Sequence, residues 1–163
     1  VAWLRDAGFD LRTRKPDGGQ FGFSDAHGRL RGHVDGVIVG GPEGFRYPAL
    51  WENKCLGAKA WRELEAKGLV VAKPVYAAQV ALYQAHLQLH EHPALFTAIN
   101  ADSMEIYVEL VPFDGALAQR MTDRAVKVIS ATEAGELLPR NFNDATHFEC
   151  RMCAWQDRCW RPT

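Results

Sequence analysis

The order of strand-like and helix-like segments constrains the fold of this chain more than any other feature. The first third of the sequence alternates short β-branched or aromatic segments with turns that contain glycine and proline. A helix beginning at Pro74, two more strand-like segments and an amphipathic helix over 115–134 follow in that order. Strands, a helix, two strands and a helix in succession predict an α/β domain with a mixed central sheet flanked by helices.

Turn signals and hydrophobic spacing place the individual elements. Residues 2–8 have the pattern of a helix end, which Gly8 terminates. Segments 9–14 and 20–24 flank the turn residues 16–19 and therefore predict a hairpin. The other predicted elements are strands over 30–39, 49–56, 94–99 and 104–111, and helices over 58–67, 74–89 and 115–134.

The composition fits one globular domain and argues against several classes of protein. With 163 residues, of which 47% are hydrophobic, the chain is long enough to bury a core. The formal net charge is -1, which argues against a protein that coats DNA through a broad basic surface. No segment has the length of a membrane span or the pattern of an export signal, so we expect no membrane contact and a cytoplasmic location.

Two acidic residues and a lysine lie in two successive predicted strands. Asp35 is part of Gly-His-Val-Asp-Gly, and Glu52 and Lys54 are part of Trp-Glu-Asn-Lys. Side chains alternate along a strand, so Glu52 and Lys54 share a face, and Asp35 on the preceding strand can lie beside Glu52. Neighbouring carboxylates bind a hard cation such as Mg²⁺ or Mn²⁺, which activates water for attack on a phosphodiester bond. Lys54 supplies positive charge at the phosphate, so the set predicts a metal-dependent nuclease.

Two polar residues share one face of the helix predicted over 74–89. Gln79 and Tyr83 belong to the segment Gln-Val-Ala-Leu-Tyr and are four residues apart. From this face they can hydrogen-bond DNA phosphates or brace the strand that carries the acidic residues. We therefore include both in the predicted catalytic site.

The cysteines near the C-terminus have a spacing typical of a metal site. Cys150, Cys153 and Cys159 follow His147, while Cys55 lies far upstream. Two thiols three residues apart can bind one metal ion, and a third thiol and the histidine complete a set of four ligands. The pattern predicts a structural Zn²⁺ that pins the tail. The alternatives are three unliganded cysteines on an irregular tail and, for Cys55, a buried free thiol that faces away from the catalytic site.

The segments Gly-His-Val-Asp-Gly, Trp-Glu-Asn-Lys and Gln-Val-Ala-Leu-Tyr resemble the motifs of the PD-(D/E)XK nuclease superfamily, in particular its RecB-like and phage exonuclease branch. With the cysteine segment, the resemblance covers about two thirds of the chain. It implies a restriction-endonuclease-like α-β-β-β-α-β core and metal-dependent hydrolysis of DNA. It assigns roles to five residues: Asp35 and Glu52 as metal ligands, Lys54 as a catalytic residue, and Gln79 and Tyr83 on the helix face.

The same resemblance offers a second metal centre for the cysteine segment. RecB-like nucleases with similarly spaced C-terminal cysteines carry a [4Fe–4S] cluster whose fourth cysteine lies far upstream. Cys55, or a cysteine that precedes Val1, would supply that ligand in this protein. The family often adds an acidic residue or a histidine from a helix before the first strand, and we expect that this helix is truncated at Val1.

These inferences define a predicted organisation and function. Residues 1–140 are predicted to form the nuclease-like domain, and residues 141–163 a cysteine knuckle packed on it. The predicted activity is that of a Mg²⁺- or Mn²⁺-dependent deoxyribonuclease, an exonuclease by family analogy, in phage or bacterial DNA recombination or repair with a recombination or helicase partner. The alternatives are a catalytically inactive DNA-binding or assembly module with the same fold and a zinc-ribbon-like interaction protein in which only the tail functions.

Overall fold

A mixed five-stranded sheet organises the first part of the chain. The computed structural model describes residues 1–161, and the strands in this range are β1 (Leu11–Arg12), β2 (Gly22–Asp25), β3 (Leu30–His33), β4 (Gly36–Ile38), β5 (Ala49–Leu56), β6 (Ala94–Asn100) and β7 (Ile106–Val111). The five-stranded sheet has the order β1-β4-β5-β6-β7, and β2 and β3 form a separate two-stranded sheet. Strands β5 and β6 run parallel and the other neighbours in the large sheet antiparallel, which confirms the predicted mixed sheet.

Helices pack on the sheet and connect β5 to β6, as the α/β prediction required. The helices within residues 1–161 are α1 (Ala2–Asp6), α2 (Ala58–Ala72), α3 (Pro74–His86), α4 (Gly115–Ala134), α5 (Phe148–Arg151) and α6 (Gln156–Trp160). Helices α2 and α3 form the crossover that the parallel strands β5 and β6 require. Helix α4 begins after Asp114, whose Oδ1 accepts a hydrogen bond from the Leu117 amide at 2.8 Å and so caps the helix.

Two clusters of buried apolar side chains pack around β5. The larger cluster joins the sheet to α2 and α3 and includes Leu50, Leu56, Leu64, Val80 and Phe96. The smaller cluster contains Leu4, Leu11, Ile38, Trp51 and Leu95. Successive side chains of a strand point to opposite faces, so Leu50 and Trp51 belong to different clusters. Strand β5 is therefore packed on both faces at Leu50 and Trp51.

Helix α2 breaks at Gly68, where the sequence predicted its end. Gly68 has a φ of 73°, in the region that glycine adopts without steric strain, and the helix resumes as far as Ala72. Oε2 of Glu109 on β7 accepts a hydrogen bond from the Leu69 amide at 2.8 Å. This acceptor satisfies the first amide after the break, so the helix continues beyond its predicted end.

The predicted hairpin between segments 9–14 and 20–24 is wrong, because β1 pairs with β4 and β2 pairs with β3. The turn itself forms, and the Lys15 amide donates to the Gly19 carbonyl at 2.7 Å. Its two flanking segments nevertheless enter different sheets. Leu11 lies opposite Ile38 in the central sheet and both are buried, so the packing of β1 against β4 outweighs local pairing across the turn.

The chain divides into two compact units, Val1–Ala125 and the residues from Val126 onward. The first unit contains both sheets and the helices α1 to α3. The second contains the end of α4 and the short helices α5 and α6, in the segment that carries the clustered cysteines. Within residues 1–161 no helix is long and apolar enough to cross a bilayer.

Candidate functional site

Asp35 lies at a break in the segment that was predicted as one strand over 30–39. The structure has β3 and β4 there, separated by Val34 and Asp35. The β4–β5 pairing reaches Gly36 opposite Trp51, and one residue beyond it Oδ2 of Asp35 accepts a hydrogen bond from the Asn53 amide at 2.8 Å. The carboxylate thus takes the place of a strand carbonyl at the point where pairing ends. It is half-buried and held against β5.

Long-range hydrogen bonds explain why the predicted strand is interrupted. The Val34 amide donates to the Phe21 carbonyl at 3.0 Å, and Nε2 of Gln20 donates to the Val34 carbonyl at 3.2 Å. Both partners come from the segment before β2, not from a neighbouring strand of the large sheet. The backbone at Val34 is therefore tied to the two-stranded sheet, while the chain from Gly36 onward joins the large sheet.

Glu52 and Lys54 lie together on one face of β5, as alternation predicted. The Glu52 side chain is 2% exposed and that of Lys54 is 20% exposed. Nζ of Lys54 donates to Oε1 of Glu52 at 2.5 Å. The second carboxylate oxygen, Oε2, is buried and has no hydrogen-bond partner among the described residues. A buried acceptor without a partner costs free energy, so this oxygen is suited to a ligand that is bound during function.

The electrostatics at Glu52 follow from its burial. Desolvation raises the pKa of Glu52, and the negative charge of Asp35 acts in the same direction. The hydrogen bond and the positive charge of Lys54, and a hydrogen bond from the backbone of Asp35, oppose the rise. The net result is a pKa above the ordinary value for glutamate. Asp35 lies one residue beyond the Gly36–Trp51 pair, so it falls opposite Glu52 at the point where the pairing of β4 with β5 ends.

Tyr76 is a site residue that the motifs did not identify. Nζ of Lys54 lies 5.2 Å from the centroid of the Tyr76 ring, within the range of a cation–π interaction. The ring in turn packs on Phe96 with centroids 6.5 Å apart. Tyr76 precedes Gln79 by three residues and so shares its helix face, a spacing that offers a sequence signal. The ammonium of Lys54 is therefore held between Glu52 and an aromatic face.

Gln79 and Tyr83 share a face of α3, as predicted. Nε2 of Gln79 donates to the Tyr83 hydroxyl at 2.8 Å. Tyr83 is 9% exposed, and its ring lies 6.1 Å from that of Phe23. A Cβ added to Gly32 would lie 2.5 Å from Cε1 of both rings, so α3 packs directly on the two-stranded sheet. This burial favours the bracing role over contact with DNA phosphates.

The predicted metal ligands of the second unit are exposed, half-buried or engaged in local contacts. Among the described residues no three His, Cys, Asp or Glu side chains form a group that could hold a metal ion. Nδ1 of His147 accepts a hydrogen bond from the Glu149 amide at 3.4 Å and caps α5, and the ring stacks on Phe142 with centroids 3.8 Å apart. Cys153 and Cys159 are exposed, and Cys150 is half-buried. The four donors predicted for zinc therefore form no metal-binding group among the described residues of this segment.

Cys55 lies on β5 between Lys54 and Leu56. Alternation places its side chain on the face opposite Lys54, as expected. The thiol is exposed, so the prediction of a buried free thiol is wrong. The reason is that α1 and its apolar cluster cover β5 near Trp51 and do not include this end of the strand.

Comparisons with known proteins bear on the fold alone. No protein-family model matches the chain, and the curated proteins contain no match. The chain is similar to the crystal structure of SSO0001, with a TM-score of 0.51 and 16% sequence identity over 99% of this chain. It spans 65% of the length of the SSO0001 chain. The class that fold and comparison support is an α/β protein with a mixed five-stranded sheet flanked by helices.

Proposed function

We propose that this chain is a divalent-metal-dependent nuclease that hydrolyses phosphodiester bonds in DNA, with the restriction-endonuclease-like core of the PD-(D/E)XK superfamily. One observation carries the proposal. The buried Glu52 carboxylate has one oxygen on Lys54 and the other without a partner, and the Asp35 carboxylate is held on the amide of Asn53, the next residue of the same strand. Two acidic residues with a lysine beside them fit a site for phosphodiester hydrolysis better than they fit an ion pair that only stabilises the fold.

The residues present fit a hard divalent cation. Mg²⁺ is commonly bound through one or two carboxylates, with water and substrate phosphate as the remaining ligands. Glu52 offers its unpartnered Oε2, and Asp35 offers a carboxylate of which Oδ2 accepts the Asn53 amide. When bound, such an ion polarises the phosphate and lowers the pKa of a water ligand.

The chain's own residues have separable roles in the proposed reaction. Lys54 places a positive charge next to the carboxylate pair, where negative charge develops on the phosphate. Glu52 and Tyr76 hold its ammonium in place. Gln79 and Tyr83 fix α3 against the two-stranded sheet, which in turn anchors the backbone next to Asp35. The proposed setting is DNA recombination or repair.

The proposal is tested by degradation of DNA in the presence of Mg²⁺ or Mn²⁺. We expect the parent chain to degrade linear duplex DNA and to spare closed circular DNA, which separates an exonuclease from an endonuclease. Asp35→Asn should lose at least about 10²-fold in rate, because it removes a charged ligand. The exposed Asp6→Asn serves as the matched control. An inactive parent would favour the DNA-binding or assembly module, and full activity in Asp35→Asn would contradict the assigned site.

A second prediction concerns Tyr76. Tyr76→Leu removes the ring that faces the Lys54 ammonium and is expected to lower kcat about three- to tenfold with little change in KM. Tyr76→Phe keeps the ring face and should retain activity. In a Lys54→Met background the Tyr76→Leu change should have no further effect on kcat, because the partner is gone. Equal losses in Tyr76→Phe and Tyr76→Leu would indicate a role for the hydroxyl instead.

We also propose that the cysteine segment binds a structural metal ion, with zinc through His147, Cys150, Cys153 and Cys159 preferred over an iron–sulfur cluster. The spacing of these donors in the sequence supports the proposal. The described residues do not form a metal-binding group, so the structure adds no support. The expected result is about one zinc per chain by elemental analysis of protein purified without oxygen. Cys153→Ser should lower that content, and Cys55→Ser is the matched control. A visible absorption band and bound iron would identify a cluster, and metal-free protein would contradict both.

A further inference from the structure

A solvent-open cavity of about 380 Å³ lies beside Asp35 and has no role in the site described so far. Its lining includes Thr13, Arg14, Gln20, Asp35, Trp51 and Asn53. The volume falls within the range of about 300–1,000 Å³ that is usual for small-ligand sites. Most of these side chains carry hydrogen-bonding groups. Trp51, which is 4% exposed, and Val1 are the apolar lining residues. The cavity therefore has the chemistry of a site for a polar ligand.

We propose that this cavity binds a nucleotide of the DNA strand adjacent to the scissile bond, with Arg14 as its phosphate contact. The inference rests on the proposed nuclease function. Arg14 is the cationic side chain among the described lining residues, and Asp35 is the acidic one. A cation bound at Asp35 neutralises the carboxylate and leaves the positive charge of Arg14 in excess, which favours an anionic ligand.

The backbone around Arg14 sets the direction of its side chain. One guanidinium nitrogen, Nη1, donates to the Gly18 carbonyl at 2.9 Å. The turn that presents this carbonyl is closed by the hydrogen bond from Lys15 to Gly19 and by one from the Gly18 amide to the Lys15 carbonyl at 2.9 Å. A guanidinium has five N–H donors, so the remaining ones can bind two phosphate oxygens side by side.

Polar groups on the cavity wall are also oriented. Oδ1 of Asn53 accepts a hydrogen bond from the Thr97 hydroxyl at 2.8 Å, and Nε1 of Trp51 donates to the same hydroxyl oxygen at 3.1 Å. The network turns the NH₂ group of Asn53 away from Thr97. The NH₂ group of Asn53 is therefore directed to donate to a ligand, as a phosphate or a base carbonyl requires, next to the acceptor oxygens of Asp35.

The position of the cavity relative to Glu52 and Lys54 indicates which nucleotide of the DNA strand it would bind. Trp51 and Asn53 alternate with Glu52 and Lys54 along β5, so the cavity lies on the other face of this strand. Asp35 borders the cavity, and its charge also acts on Glu52. A strand whose scissile phosphate is held near Glu52 and Lys54 reaches the cavity across Asp35. The cavity therefore binds the neighbouring nucleotide and not the phosphate that is cleaved.

The test is binding of a fluorescein-labelled single-stranded oligonucleotide in Ca²⁺, followed by anisotropy over a series of NaCl concentrations. Arg14→Gln is expected to raise Kd about five- to tenfold and to lower the slope of log K against log salt by about 0.7, the value for one phosphate contact on a single strand. Arg12→Gln is the matched control, because Arg12 is an exposed arginine close in sequence that pairs with Asp10 at 3.2 Å. Its Kd and salt slope should equal those of the parent.

Hydrolysis assays separate failure of this inference from failure of the proposed function. In Mg²⁺, Arg14→Gln should raise KM with kcat unchanged, whereas Asp35→Asn should lower kcat. A parent that cleaves DNA, together with an Arg14→Gln variant that binds like the parent or like Arg12→Gln, overturns the cavity assignment alone. A parent that neither binds nor cleaves DNA overturns both.

Discussion

Replacing Lys54 with methionine is expected to lower kcat for DNA hydrolysis by about 10²–10³-fold, the usual effect of removing one preorganised electrostatic contact at a reacting centre. Lys54 lies with its ammonium on Oε1 of Glu52 and over the ring of Tyr76, so its position is set before substrate binds. Methionine keeps an unbranched apolar stem of similar length. The measurement is single-turnover degradation of labelled linear DNA in saturating Mg²⁺.

Lys59→Met is the control for this prediction, since Lys59 is an exposed lysine on α2. Its rate should stay within about twofold of the parent, and thermal unfolding should show that both variants are folded. Equal losses in the two variants would assign the effect to general surface charge. Parent-like activity in Lys54→Met would remove Lys54 from the proposed mechanism.

The pH dependence of Lys54→Met offers a second measurement of the same change. In the parent, the hydrogen bond and charge of Lys54 oppose the rise in the pKa of Glu52 that burial causes. Without Lys54 the pKa of Glu52 moves higher, and protons compete with the metal ion over a wider range of pH. We therefore expect the acid limb of the rate profile to move to higher pH in this variant. An unchanged acid limb would show that Glu52 does not titrate in that limb.

The sequence identified those parts of the site that depend on local geometry. Strand β5 occupies the predicted residues 49–56, because a mostly apolar run is bounded by Pro48 and Gly57. Alternation within that strand then places Glu52 and Lys54 on one face without any knowledge of the rest of the fold. The shared face of Gln79 and Tyr83 follows in the same way from the period of a helix.

Features that depend on distant segments were not accessible from local patterns. The run from 30 to 39 contains enough β-branched residues to predict one strand, yet hydrogen bonds from Gln20 and to Phe21 divide it at Val34. The contact between Tyr76 and Lys54 requires the packing of α3 on β5, which no motif encodes. Both misses arise because tertiary interactions outweigh local preference.

The cysteine segment shows a different limit. The sequence shows that His147 and three cysteines, enough donors for one metal ion, lie within a short segment. Where those donors lie depends on the backbone after Ala134, which has no hydrophobic period to predict it. In the structure His147 caps a short helix and stacks on Phe142, so its ring is engaged locally.

Replacing Glu52 with glutamine should abolish hydrolysis and change how stability depends on pH. The folded-state pKa of Glu52 is raised above its ordinary value, chiefly by burial. Its stabilising contribution is therefore present below the ordinary pKa and is lost as pH rises through the folded-state pKa, at about 1.4 kcal/mol per unit of pKa difference. Glutamine does not titrate, so the free energy of unfolding of Glu52→Gln minus that of the parent should increase with pH across this window and then level off.

Denaturant unfolding from about pH 4 to pH 8, with and without Mg²⁺, measures this difference. Glu65→Gln, an exposed position on α2, is the matched control and should show no such trend. At neutral pH, Mg²⁺ at about 100 times its Kd should stabilise the parent by about 2.7 kcal/mol and leave Glu52→Gln unchanged, because the proposed site binds the ion through the Glu52 carboxylate of the folded protein. A difference that falls with pH would contradict the raised pKa of Glu52. An equal gain from Mg²⁺ in both proteins would show that Glu52 is not a ligand of the ion.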